Sequence, residues 1–155
     1  MLYAALKTLH LLAIVLWVGG MAFVMLFLRP ALPLLAPPDR LKLMREVLRR
    51  FFAAVTVAVV LALGTGLWMV GRAARSIVQG GSRFTWPADW LVMTAIGLAM
   101  AVIFGVIRLM FYPRFVRALE GGDAPAAAAG LARIRAWVAV NLALGVAVII
   151  VAVMV

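Results

Sequence analysis

Four stretches of this sequence are each long and apolar enough to cross a lipid bilayer, and none of them carries a carboxylate. They run over about residues 2–28, 51–70, 90–111 and 136–155. A hydrocarbon layer about 30 Å deep needs roughly 20 apolar residues in helical form. Helices are expected, because lone strands would leave backbone groups unpaired in lipid. The expected fold class is therefore all-α: an integral membrane, antiparallel four-helix bundle forming a single transmembrane domain over 1–155. With 68% of its 155 residues hydrophobic, the chain has no length left for a separate soluble domain. The first stretch reads as a retained helix and not as a cleaved signal peptide. It is too long, His10 interrupts it, and no small-x-small cleavage site precedes a mature domain.

Local signals predict where each span stops. Arg29-Pro30 should end the first, Gly71-Arg72 the second and Tyr112-Pro113 the third. Between the first two spans, "PPDRLKLMREVLRRFF" places Leu41, Met44, Leu48 and Phe51 on one helical face. This predicts an interfacial helix that runs into span two, with Asp39 as its N-cap and Glu46 four residues before Arg50. Gly121-Gly122 should break the chain after span three, with Asp123 and Pro125 starting the next helix. Small residues recur every fourth position: Ala54, Ala58, Ala62 and Gly66; Gly97, Ala101 and Gly105; Ala139, Ala143 and Ala147. Such stripes let helices approach closely in lipid, and one left over after bundling would serve a homodimer or a partner membrane protein.

The net charge of +10 reads as contact with anionic headgroups; no nucleic-acid partner is expected. Eleven of the fifteen basic residues lie in or beside the first and third loops. The positive-inside rule makes those loops cytoplasmic and both termini periplasmic, in a multi-pass protein of a bacterial inner membrane. Trp86 and Trp90 would mark the outer interface, Tyr112 and Trp137 the inner one.

Chemistry is scarce. The chain has no cysteine, so disulfides, thiolate metal sites and cysteine nucleophiles are excluded. Ser76 and Ser82 fall in a loop with no histidine nearby in sequence, and no glycine pattern forms a phosphate loop. No catalytic residue is assigned, and the reading favours a non-enzyme. The sole histidine, His10, lies about 10 Å inside the outer end of span one, where an ionisable group defaults to a functional hypothesis. Lys7 precedes it on the same face. Antiparallel packing sets His10 level with Thr65 and Thr94, so its ring could bond either hydroxyl or serve as a ligand. Met69 and Met93 belong to the same half of the bundle; Met21, Met25, Met100 and Met110 belong to the other. Imidazole with thioether sulfur suits Cu(I), while methionine also fills apolar gaps. Asn141, the one asparagine, is expected to bond across helices. Asp89 is the acid nearest the outer face, with Arg72, Arg75 and Arg83 as its candidate partners.

These residues carry a family resemblance. "LKTLHLLAIVLWVGGMAF" (6–23) with "LRPAL" (28–32) resembles the first span of the copper resistance protein D family of bacterial inner-membrane proteins. "RRFFAAVTVAVVLALGTGLWMV" (49–70) is similar to its second span, and "YPRF" (112–115) and "ARIRAWVAVNLALG" (132–145) to its short four-helix members. The resemblance implies a role in copper import or tolerance, binding or passing Cu(I), with His10 as the motif histidine; Trp17, Gly19 and Gly20 match it as packing residues. The first span is also similar to that of HemJ-type protoporphyrinogen oxidases, which implies an alternative: a haem-linked redox enzyme with His10 as axial ligand. Many relatives of both kinds carry a lysine early in span three, where this chain reads "DWLVMTAIG". A metal-free accessory or structural subunit is the third reading.

Overall fold

The computed structural model describes every residue except Ser82, Phe84 and Val155. Ser82 and the expected end of span four at Val155 thus lie outside the described residues. Among the described residues, five α-helices of nine or more residues carry the chain: α1 (Leu2–Phe23), α2 (Pro37–Gln79), α3 (Ala88–Val106), α4 (Tyr112–Glu120) and α5 (Ala124–Met154). α1, α2, α5 and the continuous unit of α3 with α4 form four helical rods long and apolar enough to cross a membrane. α1 packs chiefly on α2, and α3 and α4 on α5, so the bundle is two antiparallel hairpins brought together by α1 against α5. The fold is all-α among the described residues.

Three of the expected helix ends are overrun. After α1 the chain takes one wide π turn (Val24–Leu28), continues helically through Arg29–Ala31, and closes in a 3-10 turn (Leu32–Leu34). After α3 a second π turn (Ile107–Phe111) leads directly into α4. In each, an N–H reaches back five residues, from Arg29 to the Val24 carbonyl and from Tyr112 to the Ile107 carbonyl. Each turn lies just before a proline, Pro30 or Pro113. A proline lacks the N–H for the usual bond and crowds the carbonyl four residues back; a wide turn relieves the clash without stopping the helix. Gly71-Arg72 likewise fails to end α2, which runs eight residues further to Gln79 and takes in Ser76. Beyond Gly71 the residues Arg72-Ala73-Ala74-Arg75 are strong helix formers, so the helix continues past the apolar stretch.

Other expectations hold. The amphipathic stretch after Pro37 is the N-terminal part of α2 and runs unbroken into span two. Glu46 pairs with Arg50 at 2.7 Å and also with Arg49. Gly121-Gly122 ends α4 with Gly122 at φ +75°, a left-handed conformation that glycine adopts without strain. The Asp123 carboxylate accepts the Ala126 N–H at 2.9 Å and starts α5. Asp39, by contrast, is not a cap. Ala36 stands at that position with no side-chain bond, Pro37 and Pro38 open the helix, and Asp39 faces Lys42 at 4.0 Å.

The core is an aromatic and aliphatic column. Phe52 contacts Phe104 and Tyr112 edge-on, Trp17 contacts Phe104, and Phe115 and Ala127 are fully enclosed between α4 and α5. The small-residue stripes divide. Ala58 and Ala62 are buried in the α1–α2 seam, as expected. Gly97 and Gly105 face open space, Ala143 is exposed, and Ala139 and Ala147 are only half-buried. α5 instead buries Leu131, Ile134, Val138, Asn141 and Gly145, the face opposite its alanines. The close approaches are at Gly20, where an added Cβ would sit 2.5 Å from the Phe51 ring, and at Gly145, where it would sit 2.8 Å from Val18.

Candidate functional site

His10 lies in the α1–α2 seam, half-buried. Its Nδ1 is 3.0 Å from the Thr65 Oγ1. The Thr65 hydroxyl in turn lies 2.5 Å from the Leu61 carbonyl, one turn back on α2. A carbonyl only accepts, so the threonine proton goes to Leu61 and the threonine oxygen accepts from the ring. That network assigns the proton of a neutral imidazole to Nδ1 and leaves the lone pair on Nε2.

The sequence builds this locally. Threonine in a helix returns its hydroxyl proton to the turn before it, so its oxygen is presented outward as an acceptor. Gly66 beside it makes room: an added Cβ would lie 3.3 Å from the His10 Cε1. Ala62, one turn earlier, is 7% exposed and keeps the seam narrow. The Thr65 bond and the room left by Gly66 thus both act on the Nδ1–Cε1 edge of the ring.

The remaining predicted residues lie on three helices, α1, α2 and α3. Met69, one turn beyond Thr65 on α2, is half-buried. Met93 and Thr94 are half-buried in the first turns of α3; the hydroxyl that His10 bonds is that of Thr65, not Thr94. His10 and Met93 occupy equivalent places in the two hairpins, each twenty residues before the proline that follows a π turn. Lys7 is exposed on α1. Among the described residues no three histidine, cysteine or acidic side chains gather into a metal-binding group, so any metal here would rest on imidazole and thioether donors.

Asn141 lies apart from His10. It is 1% exposed, and its Oδ1 has no hydrogen-bond partner. The sequence missed this. An amide in a span predicts a partner, and only the packing shows that the oxygen is buried without one.

At the opposite end of the bundle, Arg45 on α2 pairs with Glu120 on α4 at 2.5 Å, and the Tyr112 hydroxyl donates to the Arg45 carbonyl at 3.3 Å. Arg40 binds the Leu35 and Pro33 carbonyls and closes the turn between α1 and α2. Neither contact was visible in the sequence, because each joins residues that only the turns bring together.

Compared with known families, the chain matches copper resistance protein D over residues 45–155. The matched range takes in Thr65, Met69, Met93, Thr94 and Asn141 and begins after the helix that carries His10 and Lys7. No curated protein and no solved structure matches the chain. The match spans well over half of the sequence and agrees with four membrane-crossing helices: the chain belongs to the copper resistance protein D family.

Proposed function

We propose that this copper-resistance-type membrane protein binds Cu(I) and passes it across a bacterial inner membrane, with His10, Met69 and Met93 holding the ion on the periplasmic side. The observation that carries the reading is the committed Nδ1 of His10. The Thr65 oxygen accepts a hydrogen bond from Nδ1–H, which leaves Nε2 as the unprotonated donor atom. Imidazole and thioether are donors that suit Cu(I), and they need no carboxylate. Oriented imidazole with its second nitrogen hydrogen-bonded is the usual arrangement at metal sites. Thr65 and Gly66 position the ring, and Lys7 is exposed one turn before His10 on α1. The spacing of His10 and Met93 before their prolines supports a pairing of the two hairpins around one ion.

The distribution of arginines supports an orientation with both termini in the periplasm and with the Arg45–Glu120 contact at the cytoplasmic face. Gly97 and Gly105, which face open space, suit a homodimer or a membrane partner.

The deciding experiment is elemental analysis of protein purified from cells given copper and a haem precursor, wild type beside His10→Ala. Copper in the wild type that is reduced in the variant supports the reading. Iron lost in the variant, with a Soret band in the wild type, replaces it with a haem-linked redox enzyme. Equal copper in both removes His10 from the site, and no metal in either leaves an accessory membrane subunit.

A further inference from the structure

The orphaned amide of Asn141 has a setting that hydrogen bonding does not explain. A buried amide oxygen without a donor, on a span residue only 1% exposed, costs free energy and calls for a cause. Its surroundings follow from the register of α1 against α5. Val18 meets Gly145, and six residues further along α1, Val24 lines the same groove as Val138. Met21 lies midway between the two α1 positions and Asn141 midway between the two α5 positions, so both occupy one layer. Met21 is 2% exposed. Met100 of α3, 4% exposed, puts its methyl 3.1 Å from where a Gly145 Cβ would be, one turn from Asn141. Within about one helical turn the core therefore holds two buried thioethers and a donor-less amide oxygen.

We infer that Met21, Met100 and Asn141 form a second Cu(I) station, deeper in the bundle than His10. The inference rests on the copper reading above. Thioether sulfur is selective for the soft monovalent ion, and the amide oxygen supplies the one hard, partially negative atom in the layer. The ion enters and leaves as Cu(I), with no change of charge and no proton released. Neutral donors in a low-dielectric layer hold a cation less firmly than a charged site would, which suits an ion that must leave again. The absence of a Cβ at Gly145 lets the Met100 side chain lie against α5 at this level.

The test is a Cu(I) titration of the full chain in lipid nanodiscs under reducing conditions, against a chromophoric Cu(I) chelator, for wild type, His10→Ala, Asn141→Leu and Met21→Leu/Met100→Leu. The leucine replacements nearly conserve volume, and thermal unfolding verifies that each variant folds. Wild type is expected to bind two Cu(I) ions per chain, and His10→Ala and the inner variants one each, with Asn141→Leu weakening the inner ion at least tenfold. Two ions in every inner variant would overturn the station and show the amide to be a packing residue. One ion in wild type, lost in His10→Ala alone, overturns the station and leaves the outer site standing. One ion lost only in the inner variants supports the station and removes His10 from copper binding. No ion in wild type overturns both.

Discussion

At the scale of single residues, the imidazole of His10 depends on one hydroxyl and one missing methyl group. Thr65→Val keeps shape and removes the acceptor of the Nδ1 proton. It is expected to cost about 1 kcal/mol of stability and at least tenfold in Cu(I) affinity, while Thr65→Ser retains both; thermal unfolding and chelator competition read the two effects. Gly66→Ala puts a Cβ 3.3 Å from the ring and should reduce Cu(I) affinity with little loss of fold. Gly145→Ala meets Val18 at 2.8 Å in a closed core and should cost about 1–3 kcal/mol. Gly19→Ala, which meets nothing within 4 Å, should be neutral or slightly stabilising in the same unfolding assay. The level of Thr65 beside His10 could be read from helix lengths alone, since antiparallel rods of known rise fix which residues are opposite. The partner that Asn141 lacks could not, because an empty hydrogen-bond position is a property of the neighbours and not of the residue.

At the scale of the element, the two π turns are where sequence rules for soluble helices mislead. Pro30 and Pro113 read as stops, yet each sits inside a continuing rod because the turn before it absorbs the clash. A π turn carries one residue more than the α turn it replaces. Deleting Met110 in a Pro113→Ala background should therefore restore a regular helix and leave Phe115 facing Ala127. Deleting Leu98 from the regular part of α3 should rotate everything after it by about 100° and abolish the fold. Size-exclusion profiles of the two deletions distinguish them. Glu120→Gln removes the ion-pair partner of Arg45. Both groups are about half exposed, so the expected loss is no more than about 1 kcal/mol and shrinks in high salt. The amphipathic start of α2 was legible from its spacing of Leu41, Met44 and Leu48. Its helix starter was not, because two prolines at the opening make Asp39 superfluous as a cap.

At the scale of the whole molecule, the number of crossings was legible because only length and apolarity decide it, while the pairing of faces was not. Alanines at spacing four in α5 suggested one seam, and packing chose the opposite face, where Val138, Asn141 and Gly145 lie. The absence of cysteine makes orientation directly testable. Ala88→Cys should react with a membrane-impermeant thiol reagent in whole cells, and Ala36→Cys only after lysis. The reverse pattern would invert the proposed topology. One further consequence follows from α2. Its 43 residues make an unbroken rod about 65 Å long, roughly twice the depth of the hydrocarbon layer. With no hinge along its length, its two ends cannot move independently. A tilt of about 5° moves one tip by about 6 Å relative to the other. The seam that seats His10 lies on a lever whose far arm reaches out of the lipid, so a load on that arm is felt at the imidazole as torque.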